Sequence, residues 1–130
     1  MKKGDIITFE RTFTAKDVEL FTEVSRDEGI HHITPDEQGR LVAQGLLTAT
    51  LPTKIGGDAN VLARTMNFEF IRPVFTEDTI KCEVEIVEFE WEDNKNRTSI
   101  GTIFTCRNQD GKEVLKGSFS GVILQKIHSV

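Results

Sequence analysis

The chain has 130 residues and a formal net charge of -5, with 38% hydrophobic and 28% charged residues. This length fits one domain, residues 1–130, and the composition excludes a disordered chain, a collagen and a coiled coil. The acidic balance argues against nucleic acid as a partner, and no apolar run approaches the roughly 20 residues of a membrane helix. No hydrophobic leader follows Met1-Lys2-Lys3, so we expect a cytoplasmic protein.

The start of the chain predicts a strand followed by an amphipathic helix. Apolar and polar residues alternate over residues 6–11, as in a half-buried strand. Thr14 is a suitable N-cap, and Asp17 three residues later makes an imperfect capping box. Three apolar residues fall on one helical stripe: Val18, Phe21 and Val24. We therefore predict a helix over residues 14–25.

A loop and a buried helix follow. Glycine and proline punctuate residues 26–41, which predicts a loop. Residues 42–55 are apolar or small on nearly every face, which is typical of a buried helix. Pro52 lacks an N–H, so we expect this helix to kink near Thr48. Gly56-Gly57 is the predicted helix end.

The second half of the chain predicts four long antiparallel strands. Period-two alternation places them over residues 62–70, 80–91, 100–106 and 113–126. The apolar parity changes after Ile86, which indicates a bulge. Charged residues 92–96 and the Asp-Gly in residues 108–111 are typical of hairpin turns.

This order of elements favours an α+β hot-dog fold, an antiparallel sheet wrapped around the buried helix. A single sheet must cover its apolar face, and the helix over residues 42–55 can do so. The free sheet edges favour a homodimer that joins two sheets edge to edge. Cys82 and Cys106 lie in alternating apolar segments, so we expect reduced core thiols.

Candidate catalytic residues concentrate just before the buried helix. Asp27 and His32 could face one water, make it nucleophilic and carry its proton. Gly45 lies in the first helical turn, where a free N–H can hold a carbonyl oxygen that becomes an oxyanion. The plainer interpretation stays open, in which Asp27 is a turn residue and His32 is satisfied by backbone groups.

The histidines do not predict a metal site. His31 and His32 are adjacent, but no further histidine or carboxylate follows at ligand spacing. His128 lies in the tail, where we expect it to be solvated. We therefore expect neither a metal nor a cofactor.

Several segments resemble the MaoC-like hot-dog family of (R)-specific enoyl-CoA hydratases and 3-hydroxyacyl-thioester dehydratases. Phe13–Phe21 resembles the start of that family's first helix, and Asp27–His32 its Asp-x-Asn-Pro-x-His motif. Ala43–Leu47 resembles the start of its central helix. Phe70–Ile80 and Asn108–Val114 resemble two later conserved stretches.

The resemblance implies a specific chemistry. Asp27 and His32 would hold the water that is added to, or removed from, the β-carbon of an acyl-CoA or acyl-ACP thioester. The N–H of Gly45 would hold the thioester carbonyl, beside Gln44, which stands where the family has a histidine. The pantetheine arm would lie at the dimer interface.

Two alternatives remain. One is a hot-dog acyl-CoA thioesterase, although residues 42–57 carry none of the carboxylates that many such enzymes place near the central helix. The other is a catalytically silent acyl-thioester binder, or a structural subunit that pairs with an active hot-dog chain. Convergence of Asp27 and His32 near Gly45 would favour the hydratase over both.

Overall fold

The computed structural model describes residues 1–124, which form one five-stranded antiparallel sheet with short helices on one side. The elements are β1 (Ile6–Thr12), α1 (Ala15–Ser25), α2 (Ile30–Ile33), α3 (Gly45–Thr48), α4 (Thr50–Asp58), β2 (Val61–Phe70), β3 (Thr79–Glu92), β4 (Arg97–Arg107) and β5 (Glu113–Leu124). The strand order is β1-β3-β4-β5-β2. Since α4 contacts β1 and β2 at opposite edges as well as β3, the sheet curves around it. The predicted α+β hot-dog fold is confirmed.

The capping box of α1 forms as predicted. Thr14 Oγ1 accepts the Asp17 N–H at 3.2 Å, and Asp17 Oδ2 accepts the Thr14 N–H at 2.9 Å. Of the predicted stripe, Val18 is fully buried and Phe21 half-buried, whereas Val24 is 83% exposed. Val18 and Phe21 of α1 therefore pack on the core, while its last turn faces solvent.

The predicted buried helix is two helices, α3 and α4, separated by Ala49. The break lies beside Thr48, as predicted, because Pro52 offers no N–H to the carbonyl there. Within α4, Pro52 is the third residue, where a helix has no need of its N–H.

The predicted bounds of this helix are wrong at both ends. Residues 42–44 are not helical, because Val42 pairs with Phe75 and the Ala43 N–H donates to the Val74 carbonyl. Gly56-Gly57 lies inside α4, which continues to Asp58. Gly56 is buried, and the helix packs it 3.5 Å (from an ideal Cβ) from the Phe119 ring of the sheet.

The sheet contains the predicted irregularities. The β3–β4 register shifts between Ile86 and Glu88, where the parity change predicts a bulge. A short 3₁₀ turn at Asp93–Lys95 joins β3 to β4, and Gly111, with φ of 77°, lies in the turn before β5. The last described strand residue is Leu124. The predicted continuation to Lys126, like the tail residue His128, lies outside the described residues.

The core lies between the central helices and the concave face of the sheet. Its largest fully buried side chains include Phe13, Leu51, Ile80 and Leu115. Cys82 and Cys106 are free, buried and directly opposite each other on β3 and β4. The hydrogen bond between the two thiols, together with burial, raises the pKa of Cys82 far above its ordinary value. Over residues 1–124, no helix has both the length and the apolar character needed to cross a bilayer.

Candidate active site

A cleft of about 660 Å³ opens at the N-terminal end of α3. Its walls are the loop after α1, the start of α3 and the segment that follows β2. The predicted residues Asp27, His32 and Gly45 all line it. Most of the remaining lining is apolar, including Phe21, Val74 and Val114. The fold thus places an acid, an imidazole and a free backbone donor around one cavity.

His32 is held firmly at the cleft wall. It lies in the single turn α2, and its side chain is only 7% exposed. Nδ1 lies 2.6 Å from the carbonyl oxygen of Val42. A carbonyl oxygen only accepts, so the ring proton is assigned to Nδ1. In the neutral ring, Nε2 therefore carries the lone pair and can accept a proton.

Asp27 faces this lone pair from the cleft mouth. Its Oδ2 lies 3.5 Å from His32 Nε2, and its side chain is 49% exposed. The Gly29 N–H donates to the other oxygen, Oδ1, at 3.2 Å, which fixes the carboxyl group. The Oδ2–Nε2 separation is longer than a good direct hydrogen bond. Both atoms thus keep bonding capacity for a third group in the cleft.

Gly45 begins α3, and no acceptor within residues 1–124 takes its N–H. The first N–H groups of a helix lack partners inside the helix, so this donor is available to a ligand. A Cβ at this position would lie 2.8 Å from the Phe70 ring. A side chain at residue 45 would therefore make the Phe70 ring shift, and glycine allows the close approach of α3 to β2 without this shift.

Gln44 is placed away from the cleft. Its side chain is fully buried, and Nε2 donates to Thr22 Oγ1 at 2.8 Å. The Thr22 hydroxyl in turn donates to the Val18 carbonyl. Within residues 1–124, Oε1 of Gln44 has no hydrogen-bond partner. The Gln44 side chain thus links α1 to the start of α3, while its neighbour Gly45 reaches the cleft.

Other parts of the site were not predicted from the sequence. The Val42 carbonyl orients His32, but a backbone acceptor leaves no signal in residue types. Arg72 also lines the cleft, with Nη1 donating to the Glu113 carbonyl at 2.7 Å. It lies two residues after the end of β2, and its positive charge was the available signal. Across residues 1–124, no three His, Cys, Asp or Glu side chains are grouped closely enough to hold a metal.

The fold is similar to that of several solved structures, although the sequence matches little. No protein-family profile matches the sequence, and no curated protein matches it. Among solved structures, (R)-hydratase PhaJ1 from Pseudomonas aeruginosa is similar at a TM-score of 0.77 and 21% identity, over 100% of this chain and 90% of that one. A MaoC-like dehydratase from Rhodospirillum rubrum has a TM-score of 0.78 and 15% identity, covering 98% and 96% of the two chains.

A third structure, a monoamine oxidase regulatory protein from Archaeoglobus, has a TM-score of 0.76 and 26% identity, covering 98% of this chain and 93% of that one. All three likenesses extend over essentially the whole described sheet and its helices. The chain therefore has the hot-dog fold of the MaoC-like dehydratases and (R)-hydratases.

Proposed function

We propose that this protein is a hydro-lyase that adds water to, or removes it from, the double bond of an acyl-CoA or acyl-ACP thioester. The observation that carries the proposal is the convergence of Asp27, His32 and the Gly45 N–H on one cleft. The similarity in fold to an (R)-hydratase and a MaoC-like dehydratase supports it.

In the hydration direction, the nucleophile is a water that hydrogen-bonds to both Asp27 Oδ2 and His32 Nε2. Nε2 accepts one proton as the water oxygen bonds to the β-carbon of the enoyl thioester. The Asp27 carboxylate accepts a hydrogen bond from the remaining O–H and faces the imidazolium that forms. The Val42 carbonyl keeps the ring in the orientation that this transfer requires.

Attack at the β-carbon shifts the electrons of the double bond onto the thioester oxygen. The Gly45 N–H donates to this developing enolate, in a cleft whose lining is largely apolar. When the enolate collapses, the α-carbon takes up the proton removed from the water. The net change is the addition of H and OH across one double bond, and dehydration is the reverse.

The test is a hydration assay on crotonyl-CoA and longer enoyl-CoA thioesters. We expect Asp27→Asn and His32→Ala each to lower kcat by at least about a hundredfold, as is typical for loss of an acid–base group. The matched control is Glu28→Gln, which neutralises the exposed carboxylate next to Asp27. This control should retain activity to within a few-fold, and equal activity in all four proteins would refute the Asp27–His32 mechanism.

The same assay separates the two alternatives. Release of free thiol without hydration would indicate a thioesterase. Thioester binding without either reaction would indicate a silent binding subunit. Among the residues of 1–124 that line the cleft, Asp27 is the only carboxylate, and its placement opposite His32 favours hydration.

We also propose that the protein is a homodimer. Within residues 1–124, the outer edge of β2 has no strand partner, and Leu62 and Phe70 on this strand are more than half exposed. A second copy can extend the sheet at this edge and cover those side chains. Light scattering coupled to size-exclusion chromatography should give twice the mass of one chain.

A further inference from the structure

Arg72 brings a positive charge into a cleft whose lining is otherwise largely apolar. Of the lining side chains that the structure describes, it is the only lysine or arginine. The carboxylate of Asp27, on the same lining, lies in salt-bridge range of His32 instead. Arg72 itself forms no salt bridge with any residue from 1 to 124, and its side-chain partner is a backbone carbonyl. The charge therefore remains available to a ligand.

Contacts with the start of β5 hold the guanidinium at the cleft wall. Arg72 Nη1 donates to the Glu113 carbonyl at 2.7 Å. The backbone N–H groups of Ile71 and Arg72 both donate to the Val114 carbonyl, at 2.9 and 3.4 Å. A neutral carbonyl acceptor leaves the positive charge in place. With Nη1 engaged, Nε and Nη2 form the remaining edge of the guanidinium, which presents two parallel N–H donors.

Arg72 and Gly45 belong to neighbouring parts of the cleft wall. The link between them is Phe70, whose ring lies 2.8 Å from the position of a Cβ on Gly45. Phe70 is two residues before Arg72, so their Cα atoms are at most about 7 Å apart. A thioester whose oxygen is held at the Gly45 N–H therefore lies close enough for one of its ends to reach Arg72.

We infer that Arg72 is an anion-binding residue that holds an oxyanion of the substrate in this cleft. The inference rests on the proposed function, because an acyl-CoA or acyl-ACP thioester offers two sources of such a group. One is the phosphate at the end of the pantetheine arm, which both carriers share. The other is a carboxylate on the acyl chain itself. A guanidinium binds either group through two parallel N–H donors, as the Nε–Nη2 edge of Arg72 can.

The test uses three saturated thioesters, which bind but cannot be hydrated. S-pentanoyl-pantetheine is neutral, and S-pentanoyl-phosphopantetheine adds the phosphate. S-glutaryl-pantetheine instead replaces the terminal methyl group of the acyl chain with a carboxylate. Calorimetry gives the Kd of each thioester. The ratio of the neutral to the anionic Kd is taken within one protein, so a general effect of a substitution on the cleft cancels.

Arg72→Gln removes the charge and should lower this ratio at least about tenfold for one of the two anions. Arg72→Lys keeps the charge but not the paired donors, so it should lower the ratio less. The matched control is Lys81→Gln, which makes the same change in net charge at an exposed residue of β3 that does not line the cleft. Its ratio should equal that of the wild type.

The anion with the larger fall is the one that Arg72 holds. An unchanged ratio for both anions in Arg72→Gln would overturn the inference, as would an equal fall in Lys81→Gln. If the ratio falls but crotonyl-CoA is not hydrated, Arg72 binds the anion and the proposed reaction is wrong. If crotonyl-CoA is hydrated but the ratio is unchanged, the reaction stands and Arg72 does not hold the substrate. A wild-type protein that binds none of the three thioesters would overturn both.

Discussion

The buried contact between Gln44 and Thr22 gives a quantitative prediction about stability. Among the described residues 1–124, Thr22→Val removes the only acceptor of the Gln44 amide, whose Oε1 has no partner there. A fully buried amide with no partner costs about 1–3 kcal/mol. We therefore expect Thr22→Val to lower the free energy of unfolding by that amount. Gln44→Met, which removes the unpaired Oε1 and preserves the apolar contacts, should be near neutral or stabilising.

Urea unfolding of the four proteins in this double-mutant cycle measures the coupling. In the Gln44→Met background, Thr22→Val should cost only a few tenths of a kcal/mol, because no buried amide remains to be orphaned. The Thr22 hydroxyl also donates to the Val18 carbonyl. Loss of this bond should cost little, because that carbonyl lies inside α1, where it also accepts the backbone N–H four residues further on. Equal costs of Thr22→Val in both backgrounds would refute the reasoning. Because the Gln44 side chain does not line the cleft, Gln44→Met should also retain kcat to within a few-fold.

Three further predictions follow from backbone contacts and charge. Gly117→Ala should destabilise the fold by about 3 kcal/mol or more, because its Cβ would collide with the Asn67 carbonyl and lie 2.8 Å from the Phe104 ring. Gly57→Ala in α4, where a Cβ meets nothing within 4 Å, should instead stabilise the fold by about 0.5–1 kcal/mol. The urea midpoints of the two variants and the wild type measure both effects. Gly45→Ala keeps the backbone N–H but makes the Phe70 ring shift to restore a normal contact, so it should lower kcat/KM about ten- to hundredfold in the hydration assay; full activity would contradict the expected displacement of the helix start by this contact. Burial alone would raise the pKa of Asp17, but the Thr14 N–H and Arg11 outweigh it and hold that pKa below its ordinary value of 3.8. Its contribution to stability is therefore present above the unfolded-state pKa and lost as pH falls through the lower folded-state value. Between about pH 5 and pH 2, wild-type unfolding free energy should fall more steeply than that of Asp17→Asn, and parallel curves would argue against this contribution.

The sequence predicted the candidate site unevenly. Asp27, His32 and Gly45 were named from residue type and position, and the structure places all three around one cleft. Gln44 was named beside them, but its side chain lies in the core. Adjacent residues at a helix start point in different directions, and only the packing of α1 against α3 decides which one faces the cavity.

The sequence by itself determined the elements whose causes are local. The capping box at Thr14, the bulge after Ile86 and the break caused by Pro52 depend on neighbours within a few residues, so pattern and propensity suffice to predict them. Tertiary structure decided the rest. The bridge between Val42 and Phe75 delays the start of the central helix, and the Val42 carbonyl fixes the proton on His32. Each of these joins residues far apart in the chain or depends on a backbone group, and neither leaves a periodic signal along the sequence.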